Sequence, residues 1–446
     1  MDEIRDIKSI PCGTEAAKYF ALQEGYRNLN HGSFGTYPRP VRSILHHYQD
    51  RAEATPDAFI RYEYPERLDE SRAAIARYLH APIETCVFVP NATTGINTVL
   101  RNLVYEPDDV IIYFATIYGA CEKTVSYIVE TTLAEARKVP CTYPISDDDL
   151  CNAFEDAVRD LEANDKNPKI AIFDTIVALP GVRAPFERLT QLCKQYDVLS
   201  CIDGAHGVGH IPLNLSGLDP DFFVSNCHKW LHVPRGCAVF YVPKRNQHLM
   251  RSTLPTSHGF VPTDGGAINN PLPPSSKSDF VSSFEFVGTL DNSPFLCIPG
   301  ALEWRSKVTW NDKQGEEAIF AYNLHLARRS GQIVSGILGT EVLENKQGTL
   351  GDCNFANVRL PLSFKDLTES DLAKAAQIGE WIVKTLVADY QTFIAMVFYD
   401  ESWWMRLSSS VYLTEPDFEW AGQVLKEVCD RVRKGEWMEN ESATKL

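Results

Sequence analysis

Between residues 86 and 242, short runs that are apolar throughout alternate with stretches that are apolar along one side only, and this alternation constrains the fold more than any other feature. Residues 86–90, 110–114, 170–174, 198–203, 222–225 and 237–242 read as strands. Residues 93–103, 119–130 and 186–196 read as helices, the first with Asn91 or Thr93 placed to cap it. A strand without polar alternation is buried on both faces, so the helices must cover both sides of a mostly parallel sheet. The pattern predicts an α/β fold. In such sheets function gathers beyond the carboxyl ends of the strands, which makes the residues just after each strand the ones to read for chemistry.

The flanks read differently. Residues 1–35 show no clear period and end in a Gly/Pro-rich turn, so they are expected to form an N-terminal arm. A helix is predicted over about 39–53, and another carries Arg67, Asp69, Glu70 and Arg72 on a polar face. Residues 262–280 are rich in Pro, Gly, Ser and Asn and read as a loop. After about 295 the helices lengthen (296–308, 314–336, 368–389 and 416–434), with a short strand candidate at 357–360. The expectation is a large domain over 36–295 and a smaller α+β C-terminal domain over 296–446. A chain of 446 residues exceeds what one ordinary core of roughly 100–200 residues holds.

Charge narrows the partners. The net charge is -16 and no Lys/Arg-rich run stands out, so nucleic acid and anionic membrane surfaces are poor fits. No run of about 18 apolar residues is present, and no membrane span is expected. The N-terminal residues 1–13 are charged and lack the apolar core of a secretory signal. The 12 cysteines are scattered without a CxxC pair, which reads as reduced thiols and a cytoplasmic address. The expected partner is a small molecule.

Four strand ends carry suggestive residues. Asn91-Ala92-Thr93-Thr94-Gly95 is a small, polar helix start, either an anion site or an ordinary cap. Tyr118 follows the strand 110–114 and either serves the site or simply packs. Asp203 ends an apolar strand, where a partly desolvated carboxylate needs a cationic partner unless it caps a helix. His206, three residues on, is a hydrogen-bond donor to a ligand or a satisfied core histidine. Lys229 stands between Cys227-His228 and Trp230-Leu231, an apolar setting in which burial would lower its pKa and make the amine nucleophilic. His206 and His210, like His228 and His232, are spaced i, i+4, as zinc ligands of a hydrolase can be. Gly-rich and Pro-containing surroundings argue against helices there, and no metal site is expected.

Taken in order, an anion-binding helix start, an aromatic residue, a carboxylate and a lysine each follow a strand. On these residues, and on segments 91–103, 116–121, 219–242, 251–262 and 284–295, the chain resembles the class V aminotransferase family. The likeness is to its isopenicillin N epimerase-like branch and runs from Asn28 to Gly422. Within that branch the chain is similar to C–S lyases that cleave hercynylcysteine sulfoxide and to an enzyme of loline alkaloid formation. The resemblance implies pyridoxal 5'-phosphate (PLP) fold type I, PLP as cofactor and a homodimer with shared active sites. It implies Lys229 as the Schiff-base lysine, Asp203 as partner of the pyridinium and His206 at the phenolic oxygen. Tyr118 would stack on the ring and donate a proton, while Ala92, Thr93 and His228 would hold the phosphate. Gly288 and Thr289 would complete the phosphate site of the partner subunit. Arg406 would bind the substrate carboxylate, with Asn30, His31 and Arg61 lining the substrate mouth. The implied reaction starts from a carbanion at Cα of an amino acid and is a β-elimination at a carbon–sulfur bond. Cyclisation in secondary metabolism and epimerisation are the alternatives. Two departures bear on that choice: Val177 and Ala178 stand where the lyase pattern tends to show serines, and His206 where it shows Gln.

Overall fold

The structure is a computed structural model and describes residues 2–265 and 270–439. Its centre is a seven-stranded sheet. The strands are β1 (Cys86–Val89), β2 (Asp109–Phe114), β3 (Glu135–Val139), β4 (Asn167–Asp174), β5 (Leu199–Asp203), β6 (Phe222–Asn226) and β7 (Ala238–Tyr241). Their spatial order is β1-β7-β6-β5-β4-β2-β3. Neighbours from β6 to β3 run parallel, and only β7 is antiparallel to both its neighbours.

Alternate side chains enter two separate cores, which is why these strands show no polar alternation. Val87, Val89, Ile111, Ile170, Ile172, Phe222 and Val224 pack with Ile96 and Val99 of α3 (Ala92–Asn102) and Val125 of α4 (Gly119–Thr131). Phe88, Ile112, Phe173, Ile202, Phe223 and Val239 face the other way. There they meet Leu68 and Ile75 of α2 (Tyr64–Tyr78), Phe154 of α5 (Asp147–Ala163) and Leu189 of α6 (Phe186–Gln195). Helix α1 (Arg39–Ala54) buries Val41, Ile44 and Leu45 in the same core.

Two elements go beyond the sequence reading. β3 is an edge strand with Glu135, Ala136, Arg137 and Lys138 solvent-facing or lightly covered, so it lacks the apolar run that marks the others. Helix α5 is capped by Ser146, whose hydroxyl accepts from Asp149 N–H, and has Asp147, Asp148 and Asp149 in its first turn, where the helix dipole favours acids. Of the stretch expected as loop, residues 266–269 lie outside the described residues and a helix begins at Asp279.

The C-terminal part builds a three-stranded antiparallel sheet from β8 (Phe355–Arg359), β9 (Ala395–Tyr399) and β10 (Ser402–Ser408), ordered β8-β10-β9. Helices α7 (Glu316–Leu338), α8 (Leu372–Tyr390) and α9 (Glu415–Arg433) cover it. Ile10–Pro11 pairs in parallel with Val308 and Thr309, tying the first residues of the chain to this region. No described helix is long and apolar enough to cross a membrane.

Candidate active site

Strand order brings the ends of β4, β5 and β6 side by side. Asp203 and Asp174 are register partners on β5 and β4, and both are buried. Asp203 accepts from the Ala205 N–H at 2.9 Å and from the Cys121 thiol at 3.3 Å. Burial raises the pKa of Asp203, with the Ala205 and Cys121 bonds and the Lys229 charge pulling it back. Asp174 is raised well above the ordinary carboxyl range by burial and then by the charge of Asp203. Cys121 keeps its proton, pushed far up by burial and these two carboxylates, so it is a donor.

β6 runs directly into the turn Cys227–Trp230, which carries Lys229. Lys229 keeps some exposed surface, as the lining of a cleft must, but its amine is enclosed. Nζ stands 3.0 Å from His206 Nε2. Desolvation lowers its pKa from 10.5 to about 8, with Asp203 and Asp174 opposing and Arg406 assisting. Gly35 closes the N-terminal segment over this turn: a Cβ there would come within 1.8 Å of the His228 carbonyl oxygen, and its φ is +62°.

Arg406, from β10, is 2% exposed and has no carboxylate partner among the described residues. Its guanidinium donates to the Ala178 carbonyl at 2.6 Å, Asn30 Oδ1 at 2.8 Å and Ser33 Oγ at 2.9 Å, and lies 4.4 Å above the Phe355 ring. Its Nε has no hydrogen-bond partner. Burial alone brings its pKa down to about 10. A buried cation of this kind is costly without an anion beside it. The bland reading of Arg406 as half of a surface ion pair does not describe it.

The remaining sequence-derived residues divide into two groups. Ala92 and Thr93 open α3, which Asn91 caps by accepting from the Thr94 N–H. The Ala92 N–H is already given to Asn226 Oδ1 at 2.9 Å. His228 holds Nδ1 at 3.1 Å from the Cys237 carbonyl, and burial takes its pKa down to about 4. Tyr118, at the start of α4, is 51% exposed. His31 lies below the cleft, fully buried, with Nδ1 at 3.0 Å from Tyr412 Oη and its ring 5.0 Å from Trp230. Arg61 is elsewhere, bound to Asp57 and to the Pro271 carbonyl. Gly288 and Thr289 lie on a surface loop and share no hydrogen bond with Lys229, His228 or Arg406 among the described residues. The two histidine pairs do not converge: His210 accepts from the Asn354 N–H and His232 faces the Thr36 carbonyl.

Several residues of the site carried no signal of their own in the sequence. Ser33 and Cys121 look ordinary there. Asp174 ends an apolar strand just as Asp203 does, and the same rule would have flagged it. Arg305 is fully buried behind the site, donating to the Trp230 carbonyl at 2.6 Å, the Gly209 carbonyl at 3.2 Å and both oxygens of Glu316 at 2.6 Å. It joins the turn bearing Lys229 to the loop after β5. Arg305→Met should lower unfolding free energy by about 3–5 kcal/mol, because Glu316 and two carbonyls lose their donor. Urea denaturation measures this, and a loss under about 1 kcal/mol would contradict the clamp.

Comparison with known proteins places this architecture. The family model for aminotransferase class-V matches residues 43–264. The chain is 39% identical to the L-cysteine desulfhydrase-like protein lolT1 of Epichloe uncinata, across 95% of this chain and 97% of that one. It is 29% identical to the hercynylcysteine sulfoxide lyase of Schizosaccharomyces pombe (strain 972 / ATCC 24843), across 94% and 98% respectively. Among solved structures, the cystine C–S lyase C-DES in complex with cysteine persulfide superposes with a TM-score of 0.68 at 18% identity, over 91% of this chain and 98% of that one. The last likeness speaks for the fold, and the fold is the type I architecture expected from the sequence. A relative of such identity along nearly the whole length, together with the matched model, makes the chain a member of the class V aminotransferase family.

Proposed function

We propose that the protein is a PLP-dependent C–S lyase that cleaves a cysteine-conjugate sulfoxide of the hercynylcysteine type, with Lys229 carrying the cofactor. The observation that carries this reading is the enclosed Lys229 amine, set between His206 and two buried carboxylates that have no other cation. The residues fit the cofactor. Asp203 needs a positive partner, which a pyridinium nitrogen would be. Thr93 and His228 suit the phosphate, and the Ala92 N–H joins them only by leaving Asn226. Tyr118 would cover a face of the ring. Gly288 and Thr289, exposed here, would serve the partner subunit of a homodimer.

PLP bound there supplies an electron sink for negative charge at the substrate Cα. Arg406, aligned by Asn30 and Ser33, grips the substrate carboxylate in bidentate fashion. The Lys229 amine takes the Cα proton, a role that a pKa of about 8 suits near neutrality. Tyr118 protonates the departing sulfur. The Cβ–S bond breaks to give a sulfenic acid, which an external thiol reduces to the free thiol, and the remaining three carbons hydrolyse to pyruvate and ammonia. Incubation with hercynylcysteine sulfoxide should yield pyruvate and thiol in equal amounts. Formation of neither would overturn the reading.

A second reading is cyclisation of the same carbanion. Val177 is buried in an apolar cluster with Tyr143, Val182 and Trp404, and Ala178 offers only its carbonyl, which Arg406 takes. The hydroxyls of the lyase pattern are absent from that wall. A new carbon–carbon bond detected by mass spectrometry, without pyruvate, distinguishes the two.

Uptake of PLP gives a pH signature. Only the free amine attacks an aldehyde, so the association rate with apoprotein should rise with pH and reach half its plateau near about 8. Stopped-flow absorbance measures it. A rate that is flat between pH 6 and pH 9 would show that the amine is not held as described.

A further inference from the structure

Trp230 follows Lys229 in the chain, and its indole Nε1 donates back to His206 Nδ1 across 3.2 Å. An indole nitrogen is a donor only, so Nδ1 must offer a lone pair. Burial keeps His206 neutral, and the charges of Lys229, Arg406, His210 and His228 act in the same direction. A neutral imidazole that accepts at Nδ1 carries its single proton on Nε2. That nitrogen is the one 3.0 Å from Lys229 Nζ. An ammonium has no lone pair, so the bond forms only with the free amine.

We propose that Trp230 is a positioning residue that fixes His206 as the Nε2–H tautomer and so holds the Lys229 amine unprotonated. This rests on the reading of Lys229 as the reactive amine. Trp230 is rigid enough for the task. It is 1% exposed, with its ring 4.0 Å from that of His210 and 5.4 Å from Phe355, and Arg305 binds its carbonyl. The other groups facing the amine act through charge alone: Asp203, Asp174 and Cys121 favour the ammonium, and Arg406 opposes it. None of them selects a tautomer.

The ionisation of Lys229 can be measured on the apoprotein by competitive acetylation with acetic anhydride across pH, read by mass spectrometry of the Lys229 peptide. Trp230→Phe keeps a ring and removes the donor. His206 can then turn its Nε2 lone pair to an ammonium, and the Lys229 midpoint should rise by about one unit. In a His206→Ala background the same substitution should add no shift. A folded Trp230→Phe protein with an unmoved midpoint overturns the proposal, as does an equal shift without His206. Should the variant not fold, proton–nitrogen correlation spectra of histidine-labelled wild-type protein decide. A proton on His206 Nε2 supports the proposal and one on Nδ1 overturns it. Borohydride reduction after adding PLP shows separately whether Lys229 takes the cofactor. Failure there removes the proposed function and leaves the tautomer result standing.

Discussion

Lys229→Ala should give a folded protein with no PLP absorbance in the visible and a kcat lower by at least about 10³-fold, the scale of a lost general base. The fold should survive because the lysine side chain makes one hydrogen bond, to His206, and its amine is held without full solvation. Removing a desolvated amine relieves a cost of burial, which offsets part of the lost contact. Far-ultraviolet circular dichroism and the melting temperature should therefore stay near wild type, which separates a chemical loss from an unfolded sample. A small exogenous amine, such as ethylamine, should restore part of the proton transfer in this variant. Undiminished turnover in folded Lys229→Ala protein would remove the central claim about the site.

Much of the large sheet was legible because its strands are buried on both faces, and continuous apolar runs are a signal that survives without tertiary information. β3 escaped for the opposite reason. An edge strand is partly solvated, and Glu135, Arg137 and Lys138 look like any polar linker. The rule that strand ends carry the chemistry pointed to Asp203, His206 and Lys229 without any resemblance. It could not say that His206 and Lys229 touch, since a loop and a whole strand separate them and only the β5–β6 pairing sets their distance. Arg406 was beyond such reading. β10 is nearly all buried, so its arginine sits in a run with no period, and its partners Asn30 and Ser33 lie more than 370 positions away. Arg61 shows the converse: its expected place at the substrate mouth rested on resemblance, and here its side chain is spent on Asp57 and the Pro271 carbonyl.

Arg406 carries the second large effect. Arg406→Met should raise KM for a carboxylate-bearing substrate and lower kcat/KM by a factor of roughly 30 to several thousand, the equivalent of about 2–5 kcal/mol for a buried charged contact. The direction follows from what surrounds the guanidinium. Three neutral acceptors and an aromatic face orient it, yet none of them neutralises it, so the charge balance is complete only with an anion present. Arg406→Lys should recover little, because an ammonium cannot offer two parallel N–H bonds to one carboxylate. Asn30→Ala should act more mildly, loosening the orientation of the guanidinium without removing its charge. Binding of PLP should persist in all three, read by absorbance, since Lys229 and Asp203 are untouched. If Arg406→Met instead lowers stability while KM stays constant, the guanidinium is a structural tie between β10 and the segment 30–33. The expected outcome is a KM effect, because a tie alone would be better served by a neutral residue than by a cation that burial has already driven down to a pKa of about 10.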